Sequence, residues 1–178
     1  LKDPQRIHLI GNHDLPYRLK FCNIHCSGFS KEKREAIRRV LNEEDWSKLI
    51  YFHEENNVWF SHAGVTKLWF QHPVHGLNKE VIQETLKKAH YALLTDQLTE
   101  IGPIWAADSI RGGIYRKGGV LWNDWINCEF IDNIIQIVGH SYVPSITTKV
   151  NASPKKKNKN INVDTALKEC AIFDIEKK

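Results

Sequence analysis

Apolar and polar positions along the chain fall into short blocks, and three of the apolar blocks run straight into a glycine and a histidine. Ile7-His8-Leu9-Ile10 is the first, closed by Gly11, and predicts a buried strand. Ser30 then predicts the cap of a helix reaching about Leu41, with Ala36, Ile37, Val40 and Leu41 on one face. A further helical turn or two is expected over 43–50. Val58-Trp59-Phe60 predicts the second strand and leads into Ser61-His62-Ala63-Gly64. Asn78 predicts the cap of an amphipathic helix carrying Val81, Ile82, Leu86, Ala89 and Leu93. The stretch 95–119, with Pro103, Gly112, Gly113, Gly118 and Gly119, predicts a long irregular loop. Ile134-Ile135-Gln136-Ile137-Val138 is the clearest strand, followed at once by Gly139-His140. Residues 161–163 and 171–175 predict two more strands. Strands and helices alternate early and strands gather late, the pattern of an α/β fold with one mixed sheet or two packed sheets. Periodicity leaves that choice open.

The 178 residues suit one ordinary domain, and 42% hydrophobic residues supply a core without disulfides. No apolar run approaches the roughly 18 residues of a membrane-spanning helix, so no membrane segment is expected. Cys22, Cys26, Cys128 and Cys170 are too scattered for a secreted disulfide framework, so a cytoplasmic protein is expected. The net charge of +4 resides in Lys155, Lys156, Lys157 and Lys159; without them 21 basic residues face 21 acidic ones. That lysine run has no interleaved aromatics and reads as a solvated loop, which argues against nucleic acid as a partner. The chain contains no methionine and opens Leu1-Lys2-Asp3-Pro4, so it is expected to be part of a longer protein.

Candidate chemistry collects at the three strand ends. Functional groups of open α/β sheets gather in loops beyond the carboxyl ends of strands, and His13, His62 and His140 all sit in such loops. A lone histidine there is more often structural, but three similar junctions invite a common site. Asn12, His62 and His140 form a nitrogen and oxygen donor set suited to Mn, Fe or Zn. Cys22, His25 and Cys26 resemble half a zinc site with no second pair to complete it. His72 and His75 flank Pro73 and read as exposed loop residues. Trp69, Trp105, Trp122 and Trp125 could line a substrate groove, although the strand-like setting of Trp122 and Trp125 favours the core for those two.

The motifs GNHD at 11–14, SHAG at 61–64 and GHS at 139–141 resemble those of the calcineurin-like metallophosphoesterases, in the same order. LWND at 121–124 and NVDT at 162–165 resemble segments of the bacterial and phage serine/threonine phosphoprotein phosphatase branch. The resemblance implies an α/β fold of two packed mixed β-sheets flanked by helices. It also implies two divalent metal ions (Mn, Fe, Zn or Ni) that activate a hydroxide for attack on phosphorus. Asn12, His62 and His140 would be ligands of the second metal. His13 would protonate the leaving oxygen or steady the transition state, and Asp14 would orient a ligand from behind. Arg111 would clamp a phosphate oxygen, or else stand as an ordinary surface arginine. The substrate would be a phosphorylated protein or a phosphorylated small molecule.

The departures from the family pattern are specific. The opening GDxHG and GDxxDRG motifs, which hold the first metal and supply a phosphate-binding arginine, do not occur in these 178 residues. Asp3, before Pro4 and with no strand ahead of it, is a poor substitute. The chain is therefore expected to be the larger, C-terminal part of a single metallophosphoesterase domain, its first strands lying upstream. Gly139-His140-Ser141-Tyr142 lacks the further histidine of nuclease-like relatives, which favours a phosphoprotein phosphatase or a diadenosine tetraphosphatase-like enzyme. Ala166 stands where the family has glycine. If the chain were the whole molecule, the alternative is a catalytically inactive remnant that binds phosphate or a protein.

Overall fold

Each of the three apolar runs that enters a Gly/His loop contains a strand. The computed structural model describes every residue except 1, 2, 4, 19–25, 67–78, 95–101, 152–157 and 175–178, and not the side chains of 79, 83, 92–94, 102 and 103. The elements are β1 (His8–Leu9), α1 (Leu15–Arg18), α2 (Lys31–Val40), α3 (Glu43–Ser47), β2 (Leu49–Ile50), β3 (Phe52–Glu55), β4 (Val58–Ser61), α4 (Lys79–Leu94), β5 (Ile135–Val138), β6 (Thr147–Val150) and β7 (Lys159–Asn162). Short 3-10 turns cover Gly102–Trp105, Ser109–Arg111 and Trp125–Asn127. The fold is mixed α/β with two sheets. One is a parallel pair, β1 with β2; the other has five strands in the order β3-β4-β5-β7-β6. β4, β5 and β7 run parallel in its middle, and β3 and β6 are antiparallel edges.

Period-two alternation sorts the larger sheet into two faces. Val58, Ile137 and Ile161 are buried together on one face, with Phe60 and Ile135 packed against them. Trp59 points the other way, into the main core with Ile10, Phe52, Ile82, Leu86 and Leu121. Ile10 from the end of the small sheet thus shares a core with the large one. On α4, Ile82, Leu86 and Ala89 recur at helical spacing and are all buried, and Ile82 and Leu86 each contribute roughly 1.5–3 kcal/mol by transfer from water. The Asn78 cap and the lysine run at 155–157 lie outside the described residues.

The second face of β5 and β7 carries Val138 but is otherwise polar. Gln136, Asn160 and Asn162 are buried there, and each side chain ties a loop to the sheet. Gln136 accepts from Val65 N–H at 2.8 Å and donates to Glu129 C=O at 2.7 Å. Asn160 donates to the same Glu129 carbonyl at 2.9 Å, and Asn162 to Ser141 C=O at 2.8 Å. Buried amides need such partners, and these bonds anchor the segments that build the candidate site.

Several expectations are corrected. Ser30 does cap α2, accepting from Lys33 N–H at 3.1 Å, but that helix buries no residue and Val40 is 78% exposed. It is held instead by Arg38, which donates to the Tyr17 and Arg18 carbonyls at the end of α1, at 3.2 and 3.0 Å. The 43–50 segment is helical only to Ser47 and continues as β2. No strand is present over the described residues 171–174, where Ile172 is 95% exposed and finds no sheet edge. The late strand is β6 instead. β3 is a further strand, joined to β4 through Asn56 and Asn57, whose φ values of 50° and 61° suit a tight hairpin. The stretch expected to be irregular holds two 3-10 turns among its described residues. None of the described helices is long and apolar enough to cross a membrane.

Candidate functional site

The loops after β1, β4 and β5 converge. Asn12 Oδ1 lies 2.9 Å from His62 Nε2, and His140 Nδ1 lies 3.1 Å from the same nitrogen. The parallel register of β4 with β5 brings the His62 and His140 loops side by side, and the Gly139 N–H donates to His62 C=O at 2.9 Å. Gly11 permits the approach of the third loop. A Cβ at Gly11 would meet His62 Cε1 at 3.0 Å and Nδ1 at 3.1 Å. His140 itself adopts φ 69°, a left-handed conformation that costs a residue with a side chain on the order of 1 kcal/mol. Ala63 N–H donates to Val120 C=O at 2.9 Å, which joins the LWND segment to the same floor.

A cavity of about 440 Å³ opens over this cluster. Asn12, His62, His140 and Arg111 line it, with His13 exposed at its edge and Trp122 half-buried beside them. Trp122 packs against the main core and also forms a wall of the cavity; Trp105 and Trp125 are buried, and Trp69 lies outside the described residues. Asp14 does not line the cavity among the described residues. Its Oδ2 accepts from Gly11 N–H at 2.7 Å and so closes the turn that packs against His62. Asp164 and Cys26, the second of which carried only a weak zinc expectation, also reach the cavity. Cys22, His25, His72 and His75 lie outside the described residues.

Arg111 is fixed by a network of buried acids. Asp108 is fully buried and accepts from Ile110 N–H at 2.8 Å, Arg111 N–H at 3.2 Å, Asp124 N–H at 2.8 Å and Asn127 Nδ2 at 2.9 Å. Asp124 accepts from Arg111 Nε at 2.9 Å, and Ser141 Oγ accepts from Arg111 Nη2 at 2.9 Å. Asp108, Asp124, Ser141 and Asp164 were not singled out from the sequence as site residues. Three of them stand inside or beside LWND, GHS and NVDT, so their motifs marked the place. Asp108 carried only the ordinary signal of a turn cap.

Burial pushes the His62 imidazole down to about 3, with His140 as the next cause. Burial, then the Arg111 guanidinium, pushes His140 down to about 4. Both rings are therefore neutral at physiological pH, and their lone pairs are free to coordinate. A neutral imidazole has one N–H, yet His62 Nε2 makes two short contacts, one of them to an oxygen that only accepts. His140 Nε2 is buried without a hydrogen-bond partner among the described residues. More donor atoms than protons in so small a space suits a cation, and the set fits a borderline divalent metal. Among the described residues no three His, Cys, Asp or Glu side chains form such a group; the third donor here is an amide oxygen. No family model matches the chain, and no curated protein or solved structure matches it either.

Proposed function

We propose that the protein is a metal-dependent phosphoester hydrolase of the metallophosphoesterase fold, with a phosphorylated protein as its first-choice substrate, as in serine/threonine phosphoprotein phosphatases. The observation that carries this reading is the meeting of Asn12, His62 and His140 from three separate strand-end loops, within 2.9 and 3.1 Å of one nitrogen. These three residues would hold one of two divalent ions, Mn, Fe, Zn or Ni. When bound, such ions polarise phosphoryl oxygens and lower the pKa of water.

The chain's own groups account for the remaining work. Of the five N–H donors of Arg111, Asp124 and Ser141 take two, which leaves three for the oxygens of a phosphate in the cavity. His13, exposed at the edge, is placed to hold a proton for the leaving oxygen. Asp14 keeps the Gly11 turn closed and so keeps Asn12 beside His62. Half-buried Trp122 in the cavity wall favours a second reading, a diadenosine tetraphosphatase-like hydrolase whose adenine stacks on the indole.

The test is p-nitrophenyl phosphate hydrolysis with added Mn²⁺, run beside ADP release from diadenosine tetraphosphate and beside Mn²⁺ binding followed by electron paramagnetic resonance. Turnover of the aryl phosphate supports the first reading, and ADP release the second. Binding of Mn²⁺ without turnover of either marks a chain that holds metal but does not catalyse. Absence of Mn²⁺ binding overturns the metal centre.

A further inference from the structure

Arg111 and His140, the residues proposed to hold phosphate and metal, are joined through a single hydroxyl. Ser141 follows His140 directly and is buried. Its Oγ accepts from Arg111 Nη2 at 2.9 Å and from Trp125 N–H at 2.9 Å, and donates to Asp124 Oδ2 at 3.4 Å. One proton given and two received use the whole capacity of a hydroxyl, so its rotor has one setting. The backbone is held as firmly. Ser141 N–H donates to Gly139 C=O at 2.8 Å, and Ser141 C=O accepts from Asn162 Nδ2 at 2.8 Å.

Asp124 completes the frame. Its side chain is 10% exposed; Oδ2 accepts from Arg111 Nε at 2.9 Å and Oδ1 from Ile126 N–H at 3.0 Å. Nε and Nη2 of Arg111 are thus both engaged, and Nη1 has no hydrogen bond to the described residues. The Arg111 side chain is 34% exposed and lines the histidine cavity. An arginine so exposed, at the end of a three-residue turn, ordinarily has rotamer freedom that a bound anion must freeze. Here the protein has already frozen it, and a pre-organised donor binds its anion at a lower entropic cost. Ser141 is not among the described residues that line the cavity, so its influence on a ligand there runs through Arg111.

We propose that Ser141 is a positioning residue for the phosphate group. Its hydroxyl fixes the Arg111 guanidinium relative to His140, so that the phosphate clamp and a metal ligand ride on one rigid loop. The proposal rests on the phosphoester reading and deepens it.

The probe is inorganic phosphate, titrated into the Mn²⁺-loaded protein by calorimetry. Ser141→Ala is expected to weaken phosphate about tenfold and to leave Mn²⁺ affinity within about twofold of wild type. In an Arg111→Met background the same change is expected to alter phosphate affinity by less than about twofold, because a residue that acts through Arg111 has nothing left to act on. A further tenfold loss in that background overturns the proposal. So does unchanged phosphate affinity in Ser141→Ala alone, or loss of Mn²⁺ along with phosphate. Where the alanine variant does not fold, the metal-free wild-type protein decides. Its Arg111 Nη protons are expected to give separate NMR resonances, since the bonds to Asp124 and Ser141 hinder rotation of the guanidinium. A guanidinium that averages like free arginine overturns the proposal. Wild-type protein that binds Mn²⁺ but no phosphate overturns the phosphoester reading, and the proposal with it; phosphate binding indifferent to Ser141→Ala overturns the positioning role alone.

Discussion

His62 Nε2 stands 3.1 Å from His140 Nδ1, although the two residues are 78 positions apart. Their strands run parallel and adjacent, so both loops leave the same end of the sheet. The ring centroids are 4.9 Å apart with the planes at 61°.

The two histidine roles separate by experiment. His62→Ala is expected to abolish Mn²⁺ binding and turnover together. His13→Ala, at an exposed position, is expected to retain Mn²⁺ and lose about a hundredfold in p-nitrophenyl phosphate turnover. Metal content by mass spectrometry alongside initial rates checks both. Equal metal content in the two variants would refute the division of labour.

Gly11→Ala tests the approach of the first loop. The added methyl would sit 3.0 Å from His62 Cε1 and 3.3 Å from Asp14 Oδ2, too close for both to stay. Mn²⁺ affinity is expected to fall about tenfold, since His62 must shift away from Asn12. Titration of the variant against wild type reads this directly, and unchanged affinity would mean that the turn is slack.

Asp108→Ala should destabilise the fold without any reference to function. The Ile110 and Asp124 N–H groups lose their acceptor beside a fully buried position, while Arg111 N–H keeps the Asp108 carbonyl at 2.9 Å and Asn127 the Arg116 carbonyl at 3.0 Å, at a cost of about 3 kcal/mol or more. For a chain of this length that corresponds to a Tm lower by about 6–12 °C, measured by calorimetry. A drop below about 2 °C would show that water replaces the carboxylate.

Stability should fall on the acid side. His90 is pushed from 6.5 down to about 4 in the folded state, so between those values the unfolded chain binds a proton that the folded one refuses. The stabilisation is complete above 6.5 and is lost as pH drops towards 4. In metal-free protein His62 and His140 act in the same direction. Urea unfolding from pH 7 to 4.5 should therefore show a steep slope, shallower by about one proton in His90→Gln. Identical slopes would place His90 in contact with water.

Much of the fold and the site was legible in the chain because each signal was local. The Val58–Phe60 and Ile134–Val138 runs hold strands of the large sheet, because an apolar run suits a sheet covered on both faces, while the Ile7–Ile10 run is a strand only over His8–Leu9, with Ile7 54% exposed. The burial of Ile82, Leu86 and Ala89 on one side of α4 follows from helical spacing. The hairpin of β3 was harder to see, since Phe52-His53-Glu54-Glu55 is an edge strand with exposed polar residues, though Asn56-Asn57 was a fair turn signal. The described residues 171–174 form no strand because an apolar composition does not by itself supply a neighbouring edge.

The sequence by itself determined which residues carry donor atoms, and that Asn12, His62 and His140 each follow a strand. Only the tertiary structure decided that they meet, because the distance between loops depends on sheet order and register, which no local pattern encodes. It likewise decided that Arg111 is held by Asp124 and Ser141, and that Arg18 is buried. A charged side chain reads as solvent-exposed until packing encloses it, and packing is a property of the whole chain.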